Sequence, residues 1–122
     1  MDLMQTHTYT PEDIISGDLK IVTEPETIKK NSKVIPKWTL MGRISATGAL
    51  IASVKTATDG SETPIGILVG DVDATAADTR APVYKAGMFD PSHVVLDASW
   101  TVEDMRLSFE GSGIFFREPI AL

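Results

Sequence analysis

The sequence predicts a mostly β domain of the α+β class, and three observations carry that prediction. Short apolar, β-rich runs recur from Leu19 to Phe116 with turn residues between them. Gly closes or opens several of the breaks, as at Gly48 and Asp59-Gly60, where positive φ and local Asp side-chain bonds favour tight turns. Helix-start signals occur at only two places, Asp90-Pro91 and Thr101. No sustained β-helix-β alternation accompanies them, so a doubly wound parallel sheet is not expected.

Residues 1–18 (MDLMQTHTYTPEDIISGD) show no sustained period of 2 or 3.6 and read as an extended arm that needs another surface to hold its shape. Leu19–Thr23 alternates weakly and reads as a strand, which Glu24-Pro25-Glu26 is expected to break, because Pro lacks an N–H and biases its predecessor. Thr27–Lys29 reads as another short strand before a polar turn over Lys30–Lys33. Thr39–Ser45 and Ala49–Val54 are apolar runs joined by Ala46-Thr47-Gly48, a hairpin signal. Pro64–Val69 reads as a buried strand with Pro at its start, where a missing donor does least harm. A polar, Ala-rich excursion over Asp71–Arg80 leads to a strand at Ala81–Lys85 and a turn at Ala86-Gly87.

Asp90-Pro91 suits a short helix reaching about Leu96, and Thr101 an N-cap with Glu103 and Asp104 in the first turn. Val102, Met105 and Phe109 then form one apolar stripe, Gly111 stops the helix, and Ile114–Phe116 makes a last strand. The pattern is mostly β with two short helices.

Length, charge and composition bound the function. A chain of 122 residues suits one domain with a tail. It has no Cys, which removes disulfides, thiolate nucleophiles, thiolate zinc sites and iron–sulfur clusters. The net charge of -6 argues against nucleic acid as a direct partner. Residues 1–58 carry seven basic and six acidic side chains, whereas residues 59–104 carry two basic and nine acidic ones. That acidic stretch reads as a solvated outer face. No apolar run reaches the ~20 residues of a membrane span, and no secretory h-region stands at the start, so synthesis in the cytoplasm is expected.

Candidate chemistry is sparse. His7 and His93 lie far apart, and no Ser stands in a G-x-S-x-G elbow, so a nucleophile, base and orienting acid are not assembled by any motif. Asp71, Asp73 and Asp78 resemble a calcium loop superficially, but the sixth position from Asp71 is Ala76 and the twelfth Pro82, where Gly and Glu are needed. Gly111-Ser112-Gly113 follows a helix and leads into a strand, the reverse of a phosphate-cradling context. No catalytic residue, cofactor, metal or small-molecule substrate is therefore assigned. Trp38, Trp100 and Phe115-Phe116 are candidates for core or for an interface.

Taken in order, several pieces carry a family resemblance. They are Gly48-Ala49-Leu50, Asp59-Gly60, Ile65-Gly66-Ile67-Leu68 and Tyr84-Lys85-Ala86-Gly87-Met88-Phe89, with Ile14-Ile15-Ser16-Gly17-Asp18 upstream and Gly113-Ile114-Phe115 downstream. Their order and spacing over residues 14–120 resemble the lambda-type phage head decoration proteins. Trp38 departs from the pattern, since that family often has a small residue or Gly there.

The resemblance implies a bent β-ribbon and incomplete small barrel, β-clip-like, with an N-terminal arm over residues 1–24 and a core over 25–122. It also implies a non-enzymatic homotrimer on the outer surface of the expanded head, at threefold and local threefold positions, whose arm engages the major capsid protein. In such an arm Tyr9, Ile14 and Ile15 are the expected capsid contacts, because apolar groups in a polar arm need a surface. The arm could add a strand to an exposed sheet edge. Two other readings remain: a small β-barrel module of a tail or fibre, and, further off, an enzyme with an oxygen-ligand metal site at Asp71, Asp73 and Asp78.

Overall fold

A computed structural model describes residues 20–117 of the chain. Six strands and one α-helix occur in it: β1 (Val22–Ile28), β2 (Leu40–Arg43), β3 (Leu50–Ala52), β4 (Pro64–Leu68), β5 (Thr79–Phe89), α1 (Val102–Ser108) and β6 (Gly113–Phe116). The sheet order is β1-β3-β2-β4-β5-β6, and β1 also pairs with β5. Strands β1 to β5 thus close into a barrel rather than the expected incomplete one. Closure rests on the length of β5: seven of its positions pair with β1, from Val22↔Ala86 to Ile28↔Thr79, while Val83 and Tyr84 also pair with β4.

The hairpin expected around Gly48 is β2–β3, in antiparallel register from Met41↔Ala52 to Arg43↔Leu50. Gly48 takes φ 77 and Gly60 φ 101, so both turns use the left-handed region that Gly enters most easily. β4 is buried on both faces, as a continuous apolar run requires. The period of 2 divides the core in two. Met41 and Leu68 face the barrel interior with Ile28, Leu50 and Val83. Their neighbours Leu40 and Ile67 face outward, where Phe89, Val94, Trp100, Met105, Phe109 and Ile114 cover them.

Three local expectations need correction. Pro25 does not break the first strand, and β1 runs through it. Its partner is Pro82, whose O accepts from Val69 N (3.3 Å) on the far side of β5, so the pair is a non-hydrogen-bonded one and the ladder between β1 and β5 needs no N–H from either proline. Ala86-Gly87 is not a turn but the middle of β5, which continues to Phe89. Gly87 has φ 148, and a Cβ there would meet the Phe89 ring at 3.1 Å, so glycine lets the strand continue beneath that ring. The extra length pairs in parallel with β6, from Ala86↔Gly113 to Phe89↔Phe116, and α1 lies in the crossover that parallel pairing requires.

The third correction concerns the two helices. Only one α-helix occurs among the described residues. The first expected helix is a single 3-10 turn, Pro91–His93, with Asp90 as N-cap. The chain leaves it at Val94 because Val95 joins the sheet: its N–H donates to Trp38 O (2.8 Å) and its O accepts from Leu40 N (3.1 Å). Met105 of α1 and its C-cap Phe109 are buried in one cluster with Trp100, whereas Val102 is exposed. Thr101 caps α1 by accepting from Asp104 N (3.1 Å). Replacing Thr101 by Ala is expected to remove about 1 kcal/mol, readable as a shifted urea midpoint with unchanged slope.

Candidate interaction surface

The three residues expected to contact a partner, Tyr9, Ile14 and Ile15, lie outside the described residues, as does His7. Ile21 and Val22, at the start of β1, are exposed apolar residues beside Ala86 and Gly87 of β5.

The acidic stretch is used differently from a plain solvated face. Asp59, Asp73, Asp90 and Asp97 each accept from the backbone N–H and the hydroxyl of the Ser or Thr two residues on, namely Ser61, Thr75, Ser92 and Ser99. These turns hold all four carboxyls below the usual range, the hydroxyl bond being the largest cause. Asp71 and Asp78 tie the excursion after β4 to the loop after β1, by accepting from Lys37 N and Lys30 N, both at 2.8 Å. Much of the negative charge is thus turn and loop chemistry.

The same wiring bears on the rival chemistries. Asp71, Asp73 and Asp78 point to three different donors, and no group of three His, Asp or Glu side chains is placed to hold a metal among the described residues. Asp90, Ser92 and His93 put an acid, a hydroxyl and an imidazole close together. Yet Ser92 Oγ donates to Asp90 (2.7 Å) rather than to His93, whose Nε2 is 3.8 Å from Asp90. No activated nucleophile results. Ser112 Oγ donates to Phe109 O and accepts from Ile114 N, so Gly111-Ser112-Gly113 closes the helix end.

The two tryptophans differ in role. Trp100 is buried, donates its indole N–H to Ser53 O (3.2 Å) and belongs to the core. Trp38 is partly exposed and has φ 68, the only non-Gly residue with positive φ among those described. This left-handed conformation costs a non-Gly residue roughly 1–2 kcal/mol and accounts for the small residue or Gly that the resemblance led us to expect there. Edge-on contacts fix its ring against Phe89 (5.6 Å), His93 (6.0 Å) and Tyr84 (6.4 Å).

Trp38 borders a surface that sequence reasoning passed over. A hollow of about 390 Å³ is lined by Lys37, Trp38, His93 and Val95, and it adjoins at Val95 a second of about 260 Å³ that includes Lys33, Val34 and Pro36. Val34 and Val95 are 50% and 42% exposed, far more than apolar residues packed in the core. The signal was in the sequence, as four lysines within residues 29–37, but it read only as a polar turn. A larger groove, about 590 Å³, runs between β6 and the end of α1, with Met88, Phe109, Ile114 and Phe116 in its wall.

The notable features of the described residues are apolar hollows on the surface of a closed barrel. No curated protein matches the sequence. The family model for the bacteriophage lambda head decoration protein D matches residues 4–114, a span that takes in all five barrel strands and much of the sequence before them. The chain therefore belongs to the bacteriophage lambda head decoration protein D family, a family of structural proteins of the phage head.

Proposed function

We propose that the protein binds the outer surface of the expanded phage head as a homotrimer, at threefold and local threefold positions, and stabilises the shell against the pressure of packaged DNA. The family match over residues 4–114 carries this reading, because it includes the arm as well as the barrel. The arm, with Tyr9, Ile14 and Ile15 as its apolar contacts, engages the major capsid protein by adding a strand to an exposed sheet edge. One arm pays ordering entropy and binds weakly, whereas three arms on a cyclic trimer gain roughly 10²–10⁴ in avidity. Binding the expanded lattice but not its precursor stabilises the expanded form by mass action.

Deleting residues 1–18 tests the arm. The deletion removes none of β1, which begins at Val22. Co-sedimentation with expanded heads is expected to show an affinity loss of at least about 100-fold, the lower end of the avidity gain. Unchanged affinity would sink the arm mechanism. Light scattering of the intact protein tests the oligomer: a monomer that stays a monomer on heads removes the avidity argument.

A further inference from the structure

We propose that Asp59-Gly60 is a modification site, where the chain can rearrange to isoaspartate, and that the Glu62 carboxylate guards it by holding the Gly60 N–H. Asp59-Gly60 is the one place in the sequence where Asp or Asn precedes Gly. Gly puts no side chain in the way of ring closure, so an Asp-Gly step rearranges more readily than other Asp steps. The Gly60 nitrogen attacks Asp59 Cγ, the N–Cγ bond forms, and the hydroxyl of the protonated carboxyl leaves as water, taking the nitrogen's proton. Water then opens the five-membered ring. Opening at Cγ returns aspartate. Opening at the main-chain carbonyl of Asp59 leaves isoaspartate, with the chain running through the former side chain.

The turn uses both residues, so the hazard comes with it. Gly60 has φ 101, and a Cβ on it would lie 2.0 Å from Ser45 Oγ and 3.0 Å from both Arg43 O and Ser45 N. Asp59 accepts from Ser61 N (3.0 Å) and from Ser61 Oγ, and its main-chain O accepts from Ser45 N (2.8 Å). These bonds seat Ser61, which is fully buried and whose O accepts from Ser53 Oγ (2.6 Å). Isoaspartate would add one methylene to the main chain between residues 59 and 60 and displace Ser61 from that seat.

The guard lies in the hydrogen bonds. Gly60 N donates to Glu62 Oε1 at 2.8 Å, the side chain reaching back two residues to do so. Ring closure needs that nitrogen to give up its proton, and a carboxylate beside it opposes the negative charge that develops there. Glu62 takes part in no ion pair among the described residues, so its charge is not neutralised by a cation held against it. Ser61 assists: its bonds, the hydroxyl's above all, hold the Asp59 carboxyl below its usual range, so the protonated form that loses water is scarcer. The three like turns make the comparison. After Asp73, Asp90 and Asp97 the next residue is Ala, Pro and Ala, and the third is Ala76, His93 and Trp100. Glu stands at the third position only where Gly follows the Asp.

Ageing the purified full-length protein at neutral pH in heavy-oxygen water tests the proposal. Each ring opening adds one heavy oxygen, and peptide mapping by mass spectrometry then measures isoaspartate at residue 59. Glu62→Ala is expected to raise the rate in the folded protein about ten-fold, the effect of losing one hydrogen bond to a charged group. In urea above the unfolding midpoint, the parent and Glu62→Ala are expected to rearrange at one common rate, faster than the folded parent. Thr101→Ala, which weakens the fold away from this turn, is expected to leave the folded rate near that of the parent. Equal folded rates for the parent and Glu62→Ala overturn the proposal. So does an acceleration that persists undiminished in urea, since it would belong to the local sequence and not to the folded turn. An equal acceleration in Thr101→Ala would assign the effect to general loosening and also overturns it.

Discussion

Gly42→Ala is expected to destabilise the barrel by at least about 3 kcal/mol, the upper range for overpacking a core and a large part of a domain's usual 5–15 kcal/mol. A Cβ on Gly42 would lie 2.0 Å from Ser61 O, 2.7 Å from Ser61 C and 2.9 Å from Ser61 Cα. These are backbone atoms, and the turn that carries them is held on several sides. Ser61 O accepts from Ser53 Oγ at 2.6 Å, Asp59 accepts from Ser61 N at 3.0 Å, and Ser45 N donates to Asp59 O at 2.8 Å. Ser61 itself is fully buried, so the turn has nowhere to retreat. Nor can β2 shift freely, because it is paired on both edges, with β3 and with β4. Gly48→Ala is the control. Nothing lies within 4 Å of its Cβ, although φ is 77, and it is expected to lose only about 1 kcal/mol to backbone strain. Urea unfolding followed by circular dichroism compares the two, and equal losses would refute this account of the β2–turn contact.

The second large effect is a pH dependence centred on Glu26. Its carboxylate is only 16% exposed and meets two cations: Arg43 through both terminal nitrogens, at 3.2 and 2.8 Å, and Lys85 at 2.7 Å. Glu26 lies on β1, Arg43 on β2 and Lys85 on β5, so the cluster joins three barrel strands. The Arg43 hydrogen bond, with Lys85 adding and burial opposing, lowers its pKa from 4.5 to about 2. A carboxyl depressed on folding stabilises fully above its unfolded pKa and loses that contribution as pH falls through the folded value. The window is therefore pH 4.5 down to about 2. Glu26→Gln is expected to lose about 2 kcal/mol at pH 7, less than the full shift converts to because solvent reaches Arg43. Near pH 2 the variant and the parent should be nearly equal. A constant difference from pH 7 to pH 2 would mean that packing, not charge, sets the loss.

Those two sites also mark how far the sequence could be read. The β2–β3 hairpin, β4, the cap at Thr101 and the last strand were legible, because turn chemistry and apolar runs act locally. Pro25 and Ala86-Gly87 misled, because their outcome is decided by partners far away in the chain: Pro82 opposite the first, Gly113 and Ile114 beside the second. The helix expected after Asp90 failed for the same reason, since Val95 finds its hydrogen bonds in Trp38 and Leu40. Barrel closure is a property of two strands more than fifty residues apart and leaves no local mark. On the surface, the four lysines were visible, but their joining to Trp38 and Val95 needed the fold.

The central claim is that this protein decorates the expanded head, and electron microscopy tests it most directly. Expanded heads lacking the protein are imaged alone, after adding the full-length chain, and after adding the chain without residues 1–18. The account expects new outer density at threefold and local threefold positions with the full chain, and bare positions with the truncated one. Full-chain heads that remain bare, or density equally strong without the arm, would contradict it.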